Sequence, residues 1–400
     1  MSHSTTPVLI VGAGPTGLAL ANLLAKLNIA FRLIDKNSQR SDKTKALGVQ
    51  AGTLETIEYN LGSDLVTQMI DAGRPLKSAC FSLYNAAVEI DFSLILSRYN
   101  FLLILAQSET ERLFEEYLIS HSNKVERNAE LISLQQNDTF VTATIKTNGQ
   151  LETIEADFVV GCDGAHSTVR HQAHIDFAGG EYTGNFVLVD AQITWAKEIG
   201  VAEFFMSEKG LLGCFPLKKD GYYRLILIPK YLEVSDSTDI SLAEFGQIVT
   251  ELCPIPIKIT EALWLTRFSI HHRIASHFKK GRIFLAGDAA HIHSPAGGQG
   301  MNTGIQDAFN LGFKLAHVLS HKADLSSLDL YEQQRYPIAQ QILRGTDFAT
   351  RYILFPNNIF ARCLKKYFLV WLLRKPWIQK KLVTAISEVA VARKEISLNK

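Results

Sequence analysis

A glycine-rich turn near the start of the chain constrains the fold more than any other feature of this sequence. GAGPTG at residues 12–17 follows the apolar run VLIV at 8–11 and precedes leucines at helical spacing, and AFRLID at 30–35 reads as the next strand. The turn therefore lies inside a βαβ unit. Glycines at this spacing permit a tight turn, close approach of a pyrophosphate and close packing of the helix. Asp35 ends the second strand, where a carboxylate can bind ribose hydroxyls, so this unit predicts a site for the adenosine half of FAD or NAD.

A second segment, residues 282–316, favours FAD over NAD. Asp288 ends the apolar strand RIFLAGD, at the edge where open α/β sheets bind ligands, and it can accept hydrogen bonds from a ribityl chain. Gly297, Gly298 and Gly300 let the backbone approach a flat ring, and the following helix directs its positive end at that ring. Such a helix favours the reduced flavin, which carries more negative charge. NAD has no ribityl chain and needs no second site of this kind.

The remaining pattern predicts a mixed α/β fold. Residues 131–162 alternate with a period of two, and Asn148-Gly149 predicts a hairpin turn. Residues 183–233 contain further strand-like stretches, and the last fifty residues are predicted to be helical. A helix is predicted to open at Ser108 with a capping box that ends at Glu111. Because no flexible linker separates these parts, we expect interleaved domains.

Composition excludes several classes of protein. The 400 residues carry a net charge of +1, so no global field attracts nucleic acid. The five cysteines are scattered without a Cys-x-x-Cys pair, which argues against a disulfide framework or a zinc site. The N-terminus lacks the features of a secretory signal, and the apolar run at 367–373 is too short to span a bilayer. We therefore expect a cytoplasmic protein that binds no metal and no nucleic acid.

Three motifs occur in a characteristic order along the chain. They are GAGPTG at 12–17, VGCDGAHSTVR at 160–170 and GRIFLAGDAAHIHSPAGGQGMNTGIQDA at 281–308. The weaker stretches KALGVQAGTLE (45–55) and QSETERLFEEYL (107–118) fit the same order. Together they resemble the single-component FAD-dependent aromatic hydroxylases, the family that includes p-hydroxybenzoate and phenol hydroxylases. The resemblance spans about residues 7–345.

This resemblance implies a cofactor site. The glycine turn and Asp35 would hold the adenosine and pyrophosphate of FAD, and Gln107 and Asp288 would contact its ribose–ribityl region. Asp163 and Arg170 belong to a motif associated with both the FAD pyrophosphate and the nicotinamide cofactor, and the loop after Asp288 would surround the isoalloxazine. The complete expected set is Gly12, Gly14, Pro15, Thr16, Gly17, Asp35, Lys45, Gln107, Asp163, Arg170, Gly287, Asp288, Pro295, Gly298, Gly300, Met301 and Asn302.

Some positions depart from the family or invite other readings. Lys45 stands where an FAD-contacting arginine is usual, and Ala106 replaces a common proline. His291 and His293 are interpreted as loop histidines near the flavin edge, not as a metal site or general base, because the sequence shows no carboxylate–histidine cluster around them. Cys162 is interpreted as a small buried residue.

The stretch between Asp347 and Glu388 contains no acid but many basic residues: Arg351, Arg362, Lys365, Lys366, Arg374, Lys375, Lys380 and Lys381. Interleaved apolar residues suggest either a helix on a membrane surface or a helical cap packed on the flavin domain with a solvated basic face. The second interpretation is favoured.

The predicted fold is α/β, with a discontinuous Rossmann-like FAD-binding domain, an inserted β-sheet substrate domain and C-terminal helices. We expect the FAD domain at 1–75, 103–177 and 265–345, the substrate domain at 76–102 and 178–264, and the helical segment at 346–400. The substrate pocket should draw on aromatic residues that are equally consistent with core packing: Phe204, Phe205, Phe215, Tyr222 and Tyr223.

The expected reaction is NAD(P)H-dependent hydroxylation of a small aromatic compound, phenolic or polycyclic, with O2. The resemblance implies a flavin C4a-hydroperoxide, an electrophile, so the substrate should be electron-rich. The protein would supply a dry pocket and orientation, and no catalytic base can be named. One alternative is a flavoenzyme of the same fold with a drug-like or quinone substrate. The other is a flavin-binding redox sensor, in which no substrate would stimulate NAD(P)H oxidation.

Overall fold

The computed structural model describes residues 2–41, 46–83, 86–197, 200–207, 209–229, 240–294, 297–348 and 370–398. The strands in these ranges are β1 Ser2–Val11, β2 Phe31–Ile34, β3 Gly48–Val49, β4 Arg74–Leu76, β5 Ser78–Leu83, β6 Ala86–Asp91, β7 Leu102–Ile104, β8 Ala129–Gln136, β9 Val141–Thr147, β10 Gln150–Gly161, β11 Phe177–Thr194, β12 Ala202–Ser207, β13 Gly210–Pro216, β14 Tyr222–Pro229, β15 Lys258–Ala275, β16 Lys279–Lys280, β17 Ile283–Leu285 and β18 His291–Ile292. The α-helices are α1 Pro15–Lys26, α2 Ala51–Leu61, α3 Ser63–Ala72, α4 Gln107–Ser120, α5 Thr168–Gln172, α6 Leu242–Leu252, α7 Gly300–Leu319, α8 Asp329–Phe348, α9 Pro376–Ile386 and α10 Val389–Leu398.

The first sheet contains the predicted βαβ unit, whose second strand, β2, is the last in the described strand order. Among the described strands its order is β16-β17-β10-β1-β2, with β9 and β8 continuing from β10. β1, β2, β10 and β17 run parallel. Residues 8–11 and 158–161 are all buried, as expected for parallel strands covered on both faces. β1 begins at Ser2, earlier than its apolar run, because its first residues pair with β10 from Glu152 onward.

Two local predictions have different outcomes. The hairpin at Asn148-Gly149 is confirmed, since these residues have φ values of 49° and 88° and join the antiparallel strands β9 and β10. The capping box at Ser108 is wrong. α4 begins one residue earlier, at Gln107, and its N-cap is Ala106, which has no capping side chain. The Gln107 side chain instead donates to the Glu111 carboxylate, 2.9 Å away, so Glu111 is engaged within the helix.

The second sheet is mainly antiparallel and has the described order β18-β15-β11-β14-β13-β12-β5-β6. α6 covers one of its faces, where Phe245, Val249 and Leu252 join the buried residues of β11 and β14. A small third sheet, β3-β7-β4, joins segments that flank α2 and α3. Each large sheet draws strands from several parts of the chain, so the architecture is the predicted mixed α/β one. The exact domain boundaries stay a prediction.

The described C-terminal residues are helical, as predicted. α9 packs near β6 and the turn Phe92–Leu94, and α10 packs on α2. Gln379 of α9 donates to the carbonyl oxygen of Glu89 (2.9 Å), and Arg374 donates to that of Ala87 (3.3 Å). The described part of the basic stretch therefore packs on the second sheet, whereas the favoured interpretation placed the cap on the flavin domain; α10, which follows the stretch, packs on α2. Arg351, Arg362, Lys365 and Lys366 lie outside the described residues.

Candidate functional site

The glycine turn after β1 is closed by backbone contacts that no side chain would permit. Gly12 has a φ of +104°, and a Cβ there would lie 2.4 Å from the carbonyl oxygen of Cys162. A Cβ on Gly17 would lie 1.9 Å from the carbonyl oxygen of Gly12, so α1 packs directly on the turn. A Cβ on Gly14, by contrast, would meet nothing within 4 Å. The turn therefore packs tightly against the protein at Gly12 and Gly17. At Gly14, where α1 begins, it leaves open space that fits a pyrophosphate.

Asp35 supports this turn from the end of β2. Its Oδ2 accepts the backbone N–H of Ala13 and its Oδ1 accepts that of Asn37, both at 2.8 Å. Each carboxylate oxygen retains a second lone pair, so Asp35 can still accept a ribose hydroxyl. Pro15 is the first residue of α1, a position where its missing N–H costs no helix bond.

Parallel strand ends bring the predicted segments together. Because β1, β10 and β17 run parallel, the turn after β1, the loop after β10 and the turn Gly287–Ala289 lie at one edge of the sheet. Asp288 is exposed at this edge. Gly287 has a φ of +61°, and a Cβ there would lie 2.5 Å from Oγ1 of Thr16. Thr16 therefore packs beneath the Gly287–Ala289 turn, and its contact with a cofactor stays a prediction.

The glycine-rich loop before α7 is fastened to β3. Gly297 and Gly298 have φ values of +93° and +63°. Asn302 donates to the carbonyl oxygens of Gly48 (2.9 Å) and Gly298 (2.8 Å), and its Oδ1 accepts the backbone N–H of Gln50 (2.8 Å). The Gln50 side chain donates to the Gly297 carbonyl oxygen (3.0 Å). Gly48 and Gln50 were missed as site residues, although both belong to the weak family stretch KALGVQAGTLE.

The loop leads into the helix expected to face the flavin. α7 begins at Gly300, and Met301 is partly buried and packs against the main apolar core. Gln107, at the start of α4, accepts the backbone N–H of Ala46 (3.3 Å). The cofactor contacts of Gly300, Met301 and Gln107 stay predictions. Lys45 and Pro295 lie outside the described residues.

Asp163 and Arg170 have partners within the chain. Asp163 accepts hydrogen bonds from the Ser167 hydroxyl and from the backbone N–H of Val169 (3.1 Å), at the start of α5. Burial raises the pKa of Asp163, although these bonds oppose the shift. Arg170 is buried and donates to the carbonyl oxygen of Ala289 (2.9 Å). Arg170 thus stabilises the turn that carries Asp288. A direct contact of Asp163 or Arg170 with a cofactor stays a prediction.

A buried ionic network lies beneath this edge. Nε2 of His291 lies 2.7 Å from Oδ2 of Asp307, whose Oδ1 accepts from Nε of Arg335 at 2.5 Å. Arg335 is fully buried and also donates to Glu395 of α10. Burial alone would raise the pKa of Asp307, but Arg335 and His291 lower it. The sequence interpretation that no carboxylate accompanies the histidines is wrong for His291, because α7 brings Asp307 back to it.

His293 occupies a different environment close to the loop. It is buried, and neither ring nitrogen has a hydrogen-bond partner among the described residues. Burial and the neighbouring His291 lower the pKa of His293 to about 3, so the ring is neutral. The described part of the chain contains no group of three or more His, Cys, Asp or Glu side chains that could hold a metal ion.

Strand alternation divides the aromatic residues expected in the substrate pocket. Phe205 and Tyr223 are core residues beside α6, as the core-packing alternative requires. Phe204 and Phe215 project from the other face, are partly buried and pack against the main core. On that face Phe81 and Phe204 stack at 4.3 Å between ring centroids with a 2° interplanar angle, and Phe204 meets Phe215 edge-on at 5.2 Å.

The same face carries a buried ion pair that sequence reasoning missed. Arg224 donates two hydrogen bonds to Asp190, at 2.7 Å and 2.6 Å, and Trp264 donates a third at 3.0 Å. Tyr222 lies on this face too, with its hydroxyl donated to Glu261 (2.8 Å). The signal was an acid in the middle of the apolar strand FVLVDAQITW, since a buried charge needs a partner.

Each helix in the described part of the chain falls short of the length or the apolar character that a bilayer span demands.

Comparisons with known proteins agree with this geometry. The sequence profile of a family described as an FAD binding domain matches residues 5–346. An uncharacterized aromatic compound monooxygenase of Bacillus subtilis is 35% identical over 347 residues, covering 86% of this chain and 68% of the relative. Pentachlorophenol 4-monooxygenase of Sphingobium chlorophenolicum is 33% identical over 350 residues, covering 85% of this chain and 63% of the relative.

A solved structure extends the match to the fold. The anhydrotetracycline hydroxylase from Streptomyces rimosus superposes with a TM-score of 0.78 at 30% identity, covering 96% of this chain and 76% of that chain. The profile match alone covers more than half of the chain, and the named relatives are monooxygenases. This chain belongs to the family of FAD-dependent aromatic monooxygenases.

Proposed function

We propose that this chain hydroxylates a small phenolic or polycyclic aromatic compound, with FAD as cofactor and with O2 and NAD(P)H as co-substrates. The observation that carries the proposal is the sheet edge at which an open glycine turn, Asp35 and Asp288 lie together. Bound there, FAD would take electrons from the nicotinamide and activate O2. The oxygenating species expected from the resemblance stays a prediction.

The chain's own residues would bind and orient the reactants. The glycine turn and Asp35 would hold the adenosine diphosphate, and Asp288 would accept ribityl hydroxyls. The face with Phe81, Phe204 and Phe215 supports an aromatic substrate class, because stacked and edge-on rings offer apolar surface and favourable aromatic geometry. Two relatives are named as a pentachlorophenol 4-monooxygenase and an anhydrotetracycline hydroxylase, which agrees with an aromatic substrate.

The direct test is turnover. We expect the purified chain to hold non-covalent FAD, which heat releases for identification by chromatography. A panel of phenols and polycyclic phenols should include at least one that stimulates NAD(P)H oxidation and gains one oxygen atom by mass. FAD binding without stimulation by any aromatic compound would favour the redox-sensor alternative, and a product without added oxygen would contradict hydroxylation.

Replacing Asp288 with alanine should weaken FAD binding without unfolding the chain. A carboxylate that accepts ribityl hydroxyls contributes about 1.5–3 kcal/mol, so the dissociation constant should rise about ten- to more than a hundredfold. Asp71→Ala, an exposed acid at the end of α3, is the matched control and should leave it unchanged. FAD titration of the deflavinated proteins measures both. Equal affinity in Asp288→Ala and the parent would show that Asp288 does not contact the cofactor.

A further inference from the structure

The junction between α9 and α10 is buried and packs against α2. Glu388 lies at this junction with a φ of 56°, a left-handed conformation that is uncommon outside glycine. The backbone N–H of Gly52 donates to the carbonyl oxygen of Ser387 (2.8 Å). A Cβ on Gly52 would lie 2.5 Å from the carbonyl carbon of Glu388. The backbone of Glu388 is therefore fixed directly on the first turn of α2.

The side chain of Glu388 reaches α7 and is 3% exposed. One carboxyl oxygen accepts from Nε2 of Gln306 at 2.6 Å, and the other lies 3.4 Å from the hydroxyl oxygen of Thr303. Thr303 and Gln306 occupy the first two turns of α7. They follow Met301 and Asn302, which are expected at the flavin, so the C-terminal junction holds the helix that begins at the candidate cofactor site.

Charged groups surround this carboxyl on three elements. They are Asp307 on α7, Arg335 on α8 and, through its bond to Arg335, Glu395 on α10. Burial raises the pKa of Glu388 to about 8; Arg335 opposes the shift and Asp307 adds to it. At neutral pH the carboxyl is therefore mostly protonated.

The Thr303 hydroxyl has two acceptors within reach. They are the carbonyl oxygen of Gln299 at 2.9 Å and a carboxyl oxygen of Glu388 at 3.4 Å. Hydrogen bonds from Thr303 and Gln306 to the carboxyl oppose the rise in the pKa of Glu388, but burial outweighs them. Ionisation of Glu388 would place a further negative charge beside Asp307 in a buried site, which would disfavour this packing.

We propose that Glu388 is a positioning residue for FAD binding, because it ties the first turns of α7 to the C-terminal helices and so holds the glycine-rich loop in place for the cofactor. Glu388 lies beyond residue 346, where the family match ends. The proposal rests on the proposed FAD-dependent function. The two can be tested separately, because binding of FAD to the parent chain tests the proposed function without involving the role of Glu388.

The test is FAD titration of the deflavinated full-length chain across pH. Glu388→Ala should weaken FAD binding by about tenfold or more, the effect of losing two hydrogen bonds of a buried group. Glu388→Gln, which resembles the protonated carboxyl, should restore affinity near neutral pH. Because the raised pKa means that the proton is present below about pH 8 and lost above it, affinity of the parent should fall through that range. Glu388→Gln should lack this fall.

Two further variants separate positioning from general stability. Arg393→Gln breaks the exposed ion pair of α10 with Glu55 on α2 without touching α7, so FAD affinity should not change. Thr303→Val removes the hydroxyl from α7 and should weaken FAD binding even where Glu388→Ala does not fold. Parent-like affinity in both Thr303→Val and a folded Glu388→Ala would overturn the proposal. An identical pH profile in Glu388→Gln and the parent would do the same.

Discussion

Replacing Arg335 with leucine should lower the free energy of unfolding by about 3–5 kcal/mol, because it leaves two buried carboxylates without their cation. Arg335 is fully buried, and Asp307 and Glu395, which it joins, are 0% and 5% exposed at their side chains. Removing one partner of a buried ion pair strands the other charge in a low-dielectric environment. Urea unfolding followed by tryptophan fluorescence measures the change.

Arg112 provides a matched control for burial. It also pairs with two carboxylates, Glu109 at 2.9 Å and Glu116 at 2.8 Å, but on the exposed surface of α4. Arg112→Gln should cost no more than about 1 kcal/mol. The triple variant Arg335→Met, Asp307→Asn, Glu395→Gln should recover part of the lost stability, since no uncompensated charge remains. Equal losses in Arg335→Leu and Arg112→Gln would show that burial does not set the cost.

Alanine substitutions at Gly12 and at Gly14 should have different effects, the first on the free energy of unfolding and the second on FAD affinity. Gly12→Ala forces a Cβ against the Cys162 carbonyl oxygen at a φ of +104°, so it should cost about 1–3 kcal/mol of unfolding free energy. Gly14→Ala places a Cβ in open space at a φ of −76°, so stability should change by less than about 0.5 kcal/mol. The same methyl group would fill the space expected for the pyrophosphate, so FAD affinity should fall by about tenfold or more.

Thermal unfolding of the deflavinated proteins and FAD titration measure these two effects independently. Gly149→Ala, in the β9–β10 hairpin, is the control for a positive φ without crowding, because a Cβ there meets nothing within 4 Å. It should affect stability and leave FAD affinity unchanged. Parent-like FAD affinity in Gly14→Ala would mean that the pyrophosphate does not lie against this turn.

Features with a local physical cause could be predicted from the sequence. The glycine spacing dictates the turn after β1, and leucines at helical spacing give α1 its buried face. Asn148-Gly149 supplies the two positive φ values that a tight hairpin needs. At Ser108 the local signal failed, because a capping box describes a preference that the side chain of Gln107 and its contact with Glu111 outweigh.

Contacts between distant segments gave no local signal. Asp307 is sixteen residues from His291 and twenty-eight from Arg335. Nothing near any of the three indicates that they meet. Glu388 was interpreted only as the end of a basic stretch and Glu395 was not singled out, because their partners lie on α7 and α8. Such pairings emerge only once the helices are packed, so the buried network could not be predicted.

The substrate face illustrates an intermediate case. Phe204 and Phe205 are neighbours on β12, and a strand sends consecutive side chains to opposite faces. The sequence could therefore predict that only one of them lines a pocket. It could not predict which, since that depends on α6 covering the face of Phe205.

The strand order has a consequence for synthesis of the chain. β1 pairs with β10, and its first residue, Ser2, lies opposite Glu152. At about 5–20 residues per second, β1 leaves the ribosome about 10–30 s before that partner strand exists. During this interval the apolar run at 8–11 presents an unpaired edge to other nascent chains. The strand that leads to the nucleotide turn is thus made well before its partner β10, so newly made chains should depend on chaperones that cover this strand.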